Sequence, residues 1–183
     1  DDAIDVNRPA WQAEQQLEVG RRAEVEDYDE VASGNDREYD RGHMAPNADF
    51  DTKAGRDDTF FFSNVVAQDR GLNSGRWADL EKKVRAWIMK RGKAYIVTGP
   101  LFYDPKDDPE APGYDPAKAD GTVDYWVFGP NEVAIPTHVF KIVLAPRSQG
   151  SDQWESIAFV FENRKPGTPF HFEQALRSID WIE

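Results

Sequence analysis

His43 stands in the run Tyr39-Asp40-Arg41-Gly42-His43-Met44-Ala45-Pro46, directly behind a carboxylate, a guanidinium and a glycine. An imidazole with its ordinary pKa of about 6.5 can take a proton from water at neutral pH, provided another group fixes its tautomer. The neighbouring Arg stays charged at every relevant pH and suits a phosphate oxygen, while a glycine lets backbone come close to a substrate. The same residues also fit a strand end with an exposed histidine and a local Asp–Arg pair, and spacing alone does not choose between the two. The chain has three histidines and no cysteine, so thiol nucleophiles, disulfides and thiolate metal sites are excluded. With no His-Glu-x-x-His run, zinc is a poor expectation. His138 lies in an apolar stretch and His171 between Phe170 and Phe172, and both read as structural.

Positioning such groups requires a folded scaffold, and the composition provides for one. The 183 residues, 39% hydrophobic and 13% aromatic, are enough for one domain with a real core and too few for two comfortable ones. Short β-branched or aromatic runs predict strands at Phe60–Val66, Ala94–Thr98, Val123–Phe128, Val133–Leu144 and Ile157–Phe161. Gly129-Pro130-Asn131 is too short for a crossover helix and reads as a hairpin turn, which makes the sheet mainly antiparallel. The spacing of Trp77, Leu80, Val84, Trp87 and Ile88 predicts a helix packed on that sheet, with Asn73 or Ser74 at its start and Arg91-Gly92 at its end. A weaker periodicity predicts a second helix through Phe172, Ala175, Leu176 and Ile179, and a third over Ala10–Leu17. The class is therefore α+β. Residues 103–122 form a Pro-rich acidic insertion inside the domain. They lack the alternating ligands and terminal Glu of a calcium loop, so they read as a solvated loop.

The formal charge of −12 argues in general against a nucleic-acid or anionic-membrane partner. Its distribution says otherwise: residues 1–36 carry −8, residues 37–93 carry +3 and residues 94–183 carry −7. The only basic excess thus surrounds His43, as expected where a polyanion is held at one place and repelled elsewhere, although a solvated charged face gives the same sums. No apolar run approaches the roughly 20 residues that span a bilayer, and Asp1-Asp2-Ala3-Ile4-Asp5 resembles neither region of a signal peptide.

Asp40-Arg41-Gly42-His43 resembles the DRGH signature of the DNA/RNA non-specific endonuclease family. Asp57-Asp58-Thr59-Phe60, Ser63-Asn64-Val65, Leu72-Asn73 and Gly75-Arg76-Trp77 before Leu80-Glu81 are similar to its second block, with a matching 30-residue step from His43 to Asn73. Thr98-Gly99-Pro100-Leu101-Phe102 and Val133 to His138 resemble its downstream strands, so the likeness runs from about Asn7 to the end of the chain. The departure is Asn64-Val65-Val66-Ala67-Gln68, where many members read Asn-Val-Ala-Pro-Gln.

This resemblance implies a ββα-metal finger in which His43 is the general base and Asn73 the one direct protein ligand of a divalent ion, magnesium with manganese as a plausible substitute. Glu81 would hold the ion's waters, Arg41 and Arg85 would contact phosphate or support the metal site, and Asp40 and Asn64 would support the arrangement. An upstream arginine would grip the scissile phosphate, with Arg22 preferred over Arg21. A hydrated magnesium ion needs little more than one neutral oxygen from protein, and on a helix Glu81 and Arg85 lie near enough to the Asn73 side to border one cleft. Each residue also has a plainer role, Asn73 as a helix cap and Glu81 with Arg85 as a surface pair. DNA and RNA would be bound through phosphate and cut to 5′-phosphate products. The family has secreted and mitochondrial members, which favours a secreted or periplasmic site and leaves a mitochondrial one, and a homodimer, open. The rival is a noncatalytic module on the same fold that binds or mimics nucleic acid.

Overall fold

A computed structural model describes residues 8–29, 39–164, 166–167 and 169–182, so the acidic start Asp1–Asp5 lies outside the described residues. In chain order the regular elements are β1 (Tyr39–His43), α1 (Lys53–Asp58), β2 (Val65–Asp69), α2 (Ala78–Arg91), β3 (Tyr95–Leu101), β4 (Val127–Phe128), β5 (Val133–Ala134), β6 (His138–Pro146), β7 (Trp154–Glu162) and β8 (Leu176–Arg177). Strands β3, β6, β7 and β8 form one antiparallel sheet in that spatial order, and β1 pairs with β2 from Tyr39↔Asp69 to His43↔Val65. The architecture is α+β, and β1, β2 and α2 make a ββα unit.

Alternation along β6 explains its place at the centre. Val139, Lys141, Val143 and Ala145 are buried on one face, where Val139 and Val143 meet Leu80 and Val84 of α2 together with Leu72, Trp77, Phe159 and Phe161. A second cluster of Tyr28, Phe62, Val65, Ala67, Phe128 and Ile135, with Trp11 against it, lies on the other side of β2. The two parts are joined at Asn163. Its amide donates to the carbonyls of Ala67 (2.9 Å) and Pro136 (2.9 Å) and accepts from the Asp69 N–H (2.8 Å).

Helix α2 ends as its sequence predicts. Gly92 takes φ 89°, its N–H reaches the Ile88 carbonyl at 2.7 Å, and Arg91 donates to the Pro146 carbonyl. The expected cap at Asn73 or Ser74 is absent, because the chain enters α2 through a wide π turn over Leu72–Trp77, with Gly75 out of helical geometry at φ −103°, ψ −109°. Residues 10–17 are not helical: Gln12 exchanges backbone hydrogen bonds with Phe60 and Phe62, and this tertiary pairing overrides a weak periodicity. At the C-terminal end only a 3₁₀ turn, Phe172–Ala175, forms. Leu176 and Arg177 pair instead with the exposed edge of β7 as β8. The run at Phe60–Val66 holds a 3₁₀ turn at Phe62–Asn64 before β2 begins. Pro136 lies between β5 and β6, dividing the expected strand from Val133, and only Val127–Phe128 of the Val123–Phe128 run is a strand. Gly129, at φ 71°, makes the β4–β5 hairpin as expected, and its α-carbon lies so close to Asp27 that a Cβ would fall 2.5 Å from the Asp27 backbone. Between Phe102 and Trp126 the chain has no helix or strand. Among the described residues no helix is long and apolar enough to cross a membrane.

Candidate active site

His43 closes β1, with its ring between Trp11 (centroids 5.0 Å apart) and Phe60 (5.1 Å, edge on). Its Nε2 is buried without a hydrogen-bond partner among the described residues. Burial, and then the positive charge of Arg8, push its pKa down to about 4, below the ordinary value expected from sequence. The imidazole is therefore neutral at physiological pH with a ring nitrogen able to accept a proton, though it is an intrinsically weaker base than a solvated histidine.

The two residues before it behave differently. Arg41 donates to the Tyr28 carbonyl (3.1 Å) and lies 5.7 Å from the Trp11 ring centroid, and its buried Nε has no partner among the described residues. Burial lowers its proton affinity, as expected for a guanidinium drawn out of water. Gly42 is needed for close approach, but to a side chain of the protein itself: an added Cβ would fall 2.3 Å from Oε1 of the buried Gln68. Both amide atoms of Gln68 are buried without partners among the described residues. Asn64 fixes the chain just after His43, accepting from the Ala45 N–H (2.9 Å) and donating to the Ala45 and Thr59 carbonyls (3.0 Å each).

Asp40 ties β1 to the π turn. Its carboxylate accepts from Asn73 Nδ2 at 3.1 Å and from Arg70 Nε at 3.0 Å. With Nδ2 so held, Asn73 presents an Oδ1 that no protein donor reaches among the described residues. The Asp69 carboxylate accepts from the Leu72 N–H (2.9 Å) and steadies the entry to the same turn. On α2, Glu81 follows Trp77 by one turn and precedes Arg85 by another, and Arg85 pairs with Asp49 at 2.7 Å. Burial raises the Glu81 carboxyl to about 7, opposed first by the charge of Lys141 and then by Arg85.

No three His, Asp or Glu side chains converge as a cage for an ion among the described residues. An amide oxygen that no protein donor takes, beside the Asp40 carboxylate, is nevertheless a hard-oxygen donor pair of the kind a largely hydrated divalent cation accepts.

Arg22 is turned to local use, pairing with Glu24 at 2.7 Å and donating to the Glu14 and Leu17 carbonyls at 3.1 Å each. Upstream of β1, the arginine beside the rings that frame His43 is Arg8, 5.5 Å from the Trp11 ring centroid and 5.1 Å from that of Phe60. Sequence reasoning missed Arg8, Trp11, Gln68 and Lys141. The available signals were a lone cation three residues before an aromatic, and a charge at an inward-facing position of an apolar strand.

The DNA/RNA non-specific endonuclease family profile matches residues 1–183. The chain belongs to that family. Human mitochondrial endonuclease G is 35% identical over 146 residues, covering 79% of this chain and 46% of that protein. The mitochondrial nuclease of Saccharomyces cerevisiae is 40% identical over 132 residues, 68% of this chain and 37% of that protein. The chain thus spans less than half the length of these curated relatives. A solved structure described as the EndoG/EndoGI complex superposes over the whole chain and 68% of its own, with a TM-score of 0.79 at 24% identity, and so shares the fold.

Proposed function

We propose that residues 1–183 form a single nuclease domain, with 103–122 as an inserted loop, that hydrolyses phosphodiester bonds of DNA and RNA without sequence preference. The observation that carries this reading is the hydrogen bond from Asn73 to Asp40, which fastens the turn bearing the candidate metal ligand to the strand that ends in His43. Asn73 Oδ1 would hold magnesium, or manganese in its place, and Glu81 would hold the ion's waters. When bound, the ion neutralises charge building on the phosphate and the leaving oxygen.

His43 accepts, at the ring nitrogen that is not sealed in the protein, a proton from the water that attacks phosphorus in line with the 3′ oxygen, leaving 5′-phosphate products. Trp11 and Phe60 fix the ring and shield it from bulk water. Arg41 and Arg85 add positive charge where the phosphorane-like transition state is most negative. For the upstream phosphate-gripping arginine the surroundings of His43 support Arg8 over Arg22, since Arg8 packs on the rings that frame the imidazole while Arg22 is held by its own loop. Human endonuclease G and the Saccharomyces cerevisiae nuclease are mitochondrial, which favours a mitochondrial setting over a secreted or periplasmic one.

The test is plasmid cleavage in magnesium and in EDTA by the wild type and His43→Ala. Cutting in magnesium alone, with His43→Ala reduced by roughly 10²-fold or more but still folded and binding DNA, is expected. Binding without cutting by the wild type would assign the chain to the noncatalytic class.

A further inference from the structure

Lys141 is a charged residue in the middle of the central strand β6, and only 1% of it is exposed. Its Nζ donates to Thr98 Oγ1 at 2.8 Å and lies 4.9 Å from the centroid of the Trp77 ring, so a hydroxyl and an aromatic face meet its charge directly. Carboxylates act on it from farther off: Glu81 and then Asp49 favour its ammonium form, while burial, which dominates, and Arg85 oppose it. Trp77 precedes Glu81 by one helical turn. Its indole N–H is buried with no acceptor at full hydrogen-bond distance among the described residues, and Glu81 is the carboxylate that feels it. Stability does not account for such a lysine, because burying a charge is unfavourable and an apolar side chain of equal length would fill the same space.

We propose that Lys141 is a positioning residue of the nuclease site, its buried ammonium and the Trp77 ring it covers holding the Glu81 carboxylate where it orders the water shell of the divalent ion. The inference rests on the reading of Glu81 given above. Thr98 on β3 aims the ammonium and β6 carries it, so the main sheet, which contributes no group to the reaction itself, sets the geometry of a site built on β1, β2 and α2.

The experiment is Mn²⁺ binding, followed by electron paramagnetic resonance without nucleic acid, for the wild type, Lys141→Met, Glu81→Gln and the double variant, alongside unfolding of the metal-free proteins. Lys141→Met is expected to weaken Mn²⁺ binding about tenfold or more, with its unfolding midpoint kept or raised. The double variant is expected to bind no more weakly than Glu81→Gln, because the lysine acts through that carboxylate. Wild-type affinity in Lys141→Met with weakened affinity in Glu81→Gln overturns the proposal and leaves the role of Glu81 standing. Wild-type affinity in Glu81→Gln removes the Glu81 reading and the proposal with it. Should Lys141→Met not fold, Thr98→Val keeps the lysine and removes the oxygen that aims it. A severalfold loss of Mn²⁺ affinity is then expected, and no loss overturns the proposal.

Discussion

At the scale of single residues, His43 shows how far its surroundings alter a familiar side chain. Its sequence context suggests an ordinary imidazole, but the fold places it among rings and beside a cation, and its pKa falls to about 4. In the unfolded chain the same histidine takes up its proton near the ordinary 6.5, so between these values the unfolded state binds more protons and stability falls as the solution is acidified. The slope from this residue is at most about 1.4 kcal/mol per pH unit. His43→Gln is therefore expected to lose less stability than the wild type on going from pH 6.5 to 4, as measured by denaturant titration at each pH. For the arginines, Arg8→Gln is expected to lower kcat/KM at least tenfold with little effect on stability, whereas Arg22→Gln is expected to spare kcat/KM and loosen the loop it holds. Equal kinetic losses in both would return Arg22 to the site. His43, Asn73, Glu81 and Arg85 can be proposed from the sequence because they fall at spacings that resemble those of the family. Arg8 and Lys141 cannot, since their significance lies in which distant rings and carboxylates they meet.

Among the elements, α2 and the central strands could be read from periodicity because their apolar positions all face one large core. The misread segments are those whose backbone finds partners elsewhere. Gln12 pairs with the chain around Phe61, and Leu176–Arg177 pairs with the edge of β7. The π turn was equally invisible, since Leu72–Trp77 carries no composition that distinguishes a wide turn from a capped helix start. The β1–β2 pair depends on a close approach at Gly42, where a methyl group would collide with Gln68. Gly42→Ala is expected to destabilise the protein by about 1–3 kcal/mol in chemical unfolding. Activity should fall with it, because separating β1 from β2 also moves His43.

For the molecule as a whole, the charge of −12 with a basic centre predicts binding that salt weakens. If Arg8, Arg41 and Arg85 are the principal phosphate contacts, log K for duplex DNA is expected to fall with log salt at a slope of roughly −2 to −3, and affinity that rises with salt would refute electrostatic capture. The two halves of the fold meet at Asn163. Asn163→Ala would leave the Ala67 and Pro136 carbonyls and the Asp69 N–H unpaired, and a loss of roughly 3 kcal/mol or more is expected in denaturant unfolding. That one amide clasps β2, the partner of the strand that ends in His43, to the segment feeding the main sheet, so the β1–β2 pair is tied to the rest of the fold at its core. Heat or a protease must dismantle the centre of the protein to separate the two, and whatever activity the domain carries should be lost abruptly rather than fade.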